Sequence, residues 1–208
     1  MFEHSSNRQF IPIKIALLTI SDTRSLDDDK SGDVLEARIK KAGHMVVNRD
    51  VLKDDRPTIA SKLRCWTQNS DIDVIISTGG TGLTGRDVTV EAHRDIYEKE
   101  IEAFGTVFTT ISIQKIGTSA IQSRATGGVA NGTFLFALPG SPSACKDAWD
   151  EILLKQLDFR HRPCNFVEIL PKTFPPLFST NDLASDLLIF SNPPVNIKVL
   201  FENFPFLF

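Results

Sequence analysis

Short, almost unbroken apolar runs alternate along the chain with longer stretches in which apolar residues recur at helical spacing. The run Ile13 to Ile20 has the character of a strand buried on both faces of a parallel sheet. Residues 33–42 then read as a helix that Ser31 or Gly32 starts and Gly43 stops, with Lys40 and Lys41 at its negative end. A second strand is predicted over 44–52. A second helix carries Ile59, Ala60, Leu63 and Trp66 on one face, and a short strand over 73–77 has Val74, Ile75 and Ile76 at its centre. Together these form repeated βαβ units.

Further on, a helix is predicted over 90–98. Residues 104–116 are read as a helix although their β-branched content also suits a strand. Asn131-Gly132, between 126–130 and 133–138, accepts the positive φ angles of a tight hairpin, so the sheet is mixed and mostly parallel. Helical spacing returns over 143–157. The predicted class is therefore α/β, a three-layer αβα domain over 13–173, preceded by an arm over 1–12. Residues 174–208 form an extension with five prolines, seven phenylalanines and one helical candidate over 183–189. So apolar a segment is expected to cover its own domain or a neighbouring subunit.

Composition adds mainly exclusions. At 208 residues, 41% apolar and 24% charged, the chain fits one domain with an appendage. A net charge of −3 with interspersed signs provides no basic field for nucleic acid. The first apolar run is interrupted and too short to span a bilayer, so no membrane association and a cytoplasmic location are expected. Cys65, Cys145 and Cys164 lack zinc or redox spacing and fit a reducing compartment, and the four histidines are scattered without ligand spacing.

In open α/β sheets ligands bind beyond the carboxyl ends of the strands. The polar and glycine-rich groups expected there are Ser21-Asp22, Asp54, Thr78-Gly79-Gly80-Thr81-Gly82, Asp87 and Pro139-Gly140-Ser141. Glycines after a strand let backbone N–H groups approach an anion, and threonine hydroxyls add donors, so phosphate is the natural ligand. Leu83-Thr84 stands where a Walker loop needs lysine and a hydroxyl. Asp54 and Asp87 are the acids suited to Mg²⁺, which takes one or two carboxylates plus substrate phosphates. Plainer readings stay open: the glycine loop as a turn, Asp54 or Asp55 as a helix cap, Asp87 as a loop residue. The acidic run Asp27-Asp28-Asp29 reads as a solvated loop without a catalytic role.

Taken in order, Thr19-Ile20-Ser21-Asp22, Ser31-Gly32, Asp54-Asp55, Ser77 to Gly82, Arg86-Asp87-Val88-Thr89 and Pro139 to Pro142 resemble the MoaB/Mog family over about residues 13 to 170. These are molybdopterin-binding, adenylyltransferase-like proteins. The resemblance implies catalytic and metal-binding roles for Asp54 and Asp87. It implies substrate contacts from Ser21, Asp22, Ser31, Gly32, residues 78–82, Ser112, Ser123, Pro139, Gly140 and Ser141. It also implies Mg²⁺ with ATP and molybdopterin as substrates, a homotrimer or homohexamer, and contact with other molybdenum cofactor enzymes. The segments Gly117-Thr118-Ser119 and Arg162 to Phe166 are closer to the family's B-type branch, some of whose members are catalytically silent. The alternative to turnover is thus a non-catalytic pterin-binding or scaffolding oligomer, and more distantly a role unrelated to molybdenum.

Overall fold

The computed structural model describes residues 8–170. Six strands form one sheet in the order β2-β1-β3-β6-β5-β4. They are β1 (Lys14–Ile20), β2 (Met45–Leu52), β3 (Val74–Thr78), β4 (Lys99–Glu100), β5 (Thr126–Ala130) and β6 (Thr133–Leu138). The first three and β6 run parallel, while β5 is antiparallel to both β6 and β4. Asn131 and Gly132 turn the hairpin with φ of 47° and 70°, the geometry that Asn-Gly accepts.

The central strands are apolar at nearly every position because both faces are covered. Ile15, Leu17, Val74, Ile76, Phe134 and Phe136 point to one layer, which holds α1 (Lys30–Lys41), α4 (Glu102–Ile116) and α5 (Pro142–Ala148). Alternate residues Ala16, Leu18, Ile75 and Leu135 point to the other, where α2 (Arg56–Thr67) and α3 (Thr89–Arg94) lie. The α5 segment continues through a π turn, Trp149–Leu153, to Gln156. This is the expected three-layer αβα domain. The described part of the N-terminal arm lies on it: the Arg8 guanidinium donates to the Phe159 carbonyl, and the Phe10 ring sits 5.0 Å from that of His44.

Three expectations need correcting. The first helix begins at Lys30, not Asp33, because the Asp29 carboxylate caps it by accepting from Gly32 N–H at 2.9 Å. The helix predicted over 90–98 stops at Arg94, and Lys99–Glu100 forms an edge strand where Glu98 N–H and Ile101 N–H pair with carbonyls of β5. The acidic run is not wholly solvated, since Asp29 is 0% exposed. It accepts from Thr19 Oγ1 at 2.7 Å and from Arg49 Nη2 at 2.9 Å. A Cβ on Gly32 would stand 2.0 Å from an Asp29 oxygen, so only glycine fits there. The helix predicted over 183–189, like the rest of the 174–208 extension, lies outside the described residues.

Candidate functional site

Strand register assembles the site. Ile20 pairs with Leu52, Thr19 with Thr78 and Thr78 with Leu138, so four parallel strands end level. Ser21-Asp22, Lys53-Asp54, Gly79-Gly80 and Pro139-Gly140 therefore leave the sheet at one rim. The chain also switches direction here: α1 and β2 lie to one side of β1, α2 crosses the other face, and β3 joins on β1's far side. Such a reversal opens a crevice at the strands' carboxyl ends.

Hydrogen bonds knit the loops together. Asp54 N–H donates to Asp22 Oδ1 at 3.3 Å, and the Arg86 guanidinium grips both Asp22 oxygens at 2.7 Å. This ion pair holds the Asp22 carboxyl below its usual range. Asp87 accepts from Thr84 N–H at 2.9 Å and from its hydroxyl at 2.6 Å, bonds that likewise depress its pKa. Asp54 moves the other way: partial burial comes first, then repulsion from Asp22 and, further down, Asp87, and together these raise its pKa. Asp55, not Asp54, caps α2 by accepting from Thr58 N–H at 3.0 Å. The plainer reading of this acidic pair thus falls on Asp55, and Asp54 is left facing the rim.

Gly80 shows how closely these groups meet. Its φ is +61°, and a methyl placed on it would lie 2.4 Å from both Asp54 Oδ1 and Thr89 Oγ1. A side chain at Gly82 would approach the Asp87 carboxylate at 2.8 Å. Asp54 and Asp87 therefore both border the Gly80–Gly82 loop.

The remaining expected residues divide into rim and support. Ser21 Oγ accepts from Arg24 N–H at 3.2 Å, closing the first loop. Ser31 Oγ donates to the Gly140 carbonyl at 2.7 Å, Thr78 Oγ1 donates to the Pro139 carbonyl at 3.0 Å, and Ser141 caps α5. Ser31, Gly32 and Thr78 thus face protein partners and hold the wall. Thr81 is buried. Ser123 follows a 3₁₀ segment and precedes β5, whose start pairs with the end of β6, and so it too reaches the rim. Ser112 is buried on α4, one turn before that helix ends. Cys145 lies under the wall, 3.0 Å from Thr78 Oγ1, where burial pushes its thiol up to about 11 and makes it a packing residue.

Arg124 was not expected. Its Nε donates to the carbonyls of Thr81 and Gly82 at 3.0 Å, and Nη2 donates to that of Asp87 at 3.1 Å. It also pairs with Glu91. One guanidinium therefore fixes the glycine loop against the Asp87 loop. In the sequence, Gln122-Ser123-Arg124 gives only the weak signal of a lone cation before a strand.

No group of three or more His, Cys, Asp or Glu able to hold a metal occurs among the described residues. Two carboxylates beside an anion-accepting loop instead suit a hard cation that arrives already bound to phosphates. Burial and, after it, the neighbouring Asp22 charge raise the Asp54 pKa, and a cation would offset both. The donor set therefore fits a hard divalent cation such as Mg²⁺.

Comparison with known proteins shows the family. Residues 16–158 match a family described as a probable molybdopterin binding domain. Molybdenum cofactor biosynthesis protein B of Escherichia coli K12 is 46% identical over 164 residues, covering 79% of this chain and 96% of that protein. The protein of the same name from Bacillus cereus is 40% identical, over 70% of this chain and 86% of its own. A crystal structure of molybdenum cofactor biosynthesis protein B superimposes with a TM-score of 0.70 at 39% identity, covering 72% of this chain and 94% of that one. The tungsten cofactor synthesizing protein MoaB from Pyrococcus furiosus does so with a TM-score of 0.62 at 31% identity, covering 68% and 91%. No helix among the described residues is long and apolar enough to cross a membrane.

Proposed function

The chain belongs to the molybdopterin-binding family of molybdenum cofactor biosynthesis proteins, and from that premise we propose that it transfers AMP from Mg-ATP to the phosphate of molybdopterin. One observation carries the reading. Asp54, the glycine loop with Asp87 five residues beyond it, and the proline-glycine-serine loop come from three separate stretches of the chain and meet at a single rim.

The chemistry suits such a rim. A phosphate monoester has a second pKa of about 6, so at neutral pH the pterin phosphate is already a nucleophile and needs no strong base. One of its oxygens bonds to the α-phosphorus of ATP while the bond to the β-phosphate oxygen breaks, and pyrophosphate leaves. The protein's work is alignment and charge neutralisation. The backbone N–H groups of Gly80 and Thr81 cradle an anion on the loop 78–82, whose Gly79 N–H is bonded to the Leu138 carbonyl, with Ser21, Asp22, Ser123 and Ser141 around it. Asp54 and Asp87 would hold Mg²⁺, which supplies neutralisation of the phosphate charge when bound. Ser31, Gly32, Thr78, Pro139 and Gly140 keep the wall in register.

A homotrimer or homohexamer fits the surface of α4, where Ile113 and Ile116 are 50% and 53% exposed and neighbouring Ile121 is 71% exposed. The deciding experiment is incubation with molybdopterin and Mg-ATP followed by mass detection of adenylated pterin. Product, with pyrophosphate released only when pterin is present, is expected. Binding of pterin without product would favour the non-catalytic reading, which the B-type names of the relatives support.

A further inference from the structure

Thr89 is 0% exposed, and its hydroxyl oxygen is buried without a hydrogen-bond partner. Buried hydroxyls are normally paired, so an orphan of this kind calls for a partner. The residue is held firmly on its other side. Its N–H donates to the Gly80 carbonyl at 2.9 Å, and the ring of buried His93 lies 2.8 Å from its own carbonyl. The hydroxyl borders the space a Gly80 side chain would fill: a methyl added there would stand 2.4 Å from Thr89 Oγ1 and 2.4 Å from Asp54 Oδ1. No side-chain donor among the described residues reaches the Asp54 carboxylate.

We propose that Thr89 is a positioning residue for Asp54, donating its buried hydroxyl to one carboxylate oxygen and so directing the other toward the rim. The inference rests on the role proposed for Asp54. The Thr89 oxygen is too enclosed to touch a substrate, so it acts through the carboxylate. Gly80 is the gap that lets the two oxygens meet, and its missing side chain is part of the device. A small rotation of Asp54 completes the bond, and charge-assisted hydrogen bonds of this type are short and directional.

The test uses the full chain with Thr89→Val, which keeps the shape, and Thr89→Ser, which keeps the hydroxyl. High-resolution crystal structures of wild type and T89V, with and without Mg-ATP, are the readout that needs no turnover. The expected result is Thr89 Oγ1 within hydrogen-bond distance of Asp54 in the nucleotide-bound wild type, and a rotated Asp54 in T89V. In kinetics, T89V should lose roughly tenfold to a hundredfold in kcat with the pterin KM unchanged, as for a misplaced catalytic group. T89S should stay near wild type. Thr89 bonded to a different acceptor, or Asp54 unmoved in T89V, overturns the proposal. If wild type makes no adenylated pterin, the functional reading fails, and the crystal structures still decide the Thr89 contact.

Discussion

Two carboxylates near the same end of the sheet have opposite surroundings. Asp29 is completely buried and saturated, with donors from Thr19, Gly32 N–H and Arg49. Asp54 is half-buried, has no side-chain donor, and stands near the like charges of Asp22 and Asp87, which Arg86 offsets only in part. The first is satisfied by its protein neighbours and leaves nothing for a ligand. The second is held in a charge environment that the folded chain leaves unbalanced. Saturation marks an acid that holds structure, and an acid left short of partners is the kind that the role proposed for Asp54 requires.

The largest expected effect falls on the unbalanced acids. Asp54→Asn and Asp87→Asn should each lower kcat by at least about a thousandfold while the protein stays folded, as for removal of a group that stabilises the transition state. Initial-rate measurement of pyrophosphate release, with circular dichroism as the folding control, reads both. Wild-type turnover in either variant would remove that acid from the mechanism.

Asp29→Ala should produce the reverse pattern. It strips the helix cap and leaves the Arg49 guanidinium without its fully buried partner, a class of change that costs about 3–5 kcal/mol. Glu36 and Asp33 also pair with Arg49, which places the loss toward the lower end of that range. Urea denaturation measures it. A variant as stable as wild type would mean that saturation does not mark a structural acid.

Arg124→Lys tests the boundary between the two classes. Lysine keeps the charge but cannot span the carbonyls of Thr81, Gly82 and Asp87 with one planar group. Expected are a kcat reduced by about tenfold and a stability loss of about 1–2 kcal/mol, smaller than either effect above. Unchanged kinetics would show that the two loops hold their places without this clamp.

The layers were legible in the sequence because both faces of the central strands are covered, which makes Leu17-Leu18 or Val74 to Ile76 apolar without interruption. The rim followed from strand order. Each predicted loop stands at a strand's carboxyl end, and level register did the rest. What escaped was set by contacts distant in the chain. Asp29 looked like part of a solvated acidic run because Arg49, 20 residues later, gave no local sign of reaching back. The edge strand Lys99–Glu100 has no apolar pattern, since both residues are exposed and only backbone pairing with β5 defines it. Arg124 reads three carbonyls, which carry no sequence identity.

The smallest effect sharpens the comparison most directly, because it concerns stability alone. Asp54 has a pKa raised above 3.8, so the folded protein holds this proton more tightly than the unfolded chain. Ionisation then works against folding as pH rises from 3.8 through the raised value, and the penalty persists at neutral pH. Asp54→Asn removes it. At pH 7 the variant should therefore be more stable than wild type, by less than about 1 kcal/mol, since solvent screens a half-exposed carboxylate. Below pH 3.8 the gain should vanish. Asp87 has a lowered pKa and the opposite sign: its contribution is present above 3.8 and lost as pH falls through the lowered value, so Asp87→Asn should lose stability at pH 7. Burial lowers His44 and His93 to about 4, so each variant is compared with wild type at the same pH. Urea midpoints at pH 7 and pH 3 give the result. A D54N variant less stable than wild type at pH 7 would place Asp54 in the same class as Asp29, and the distinction between the two acids would collapse.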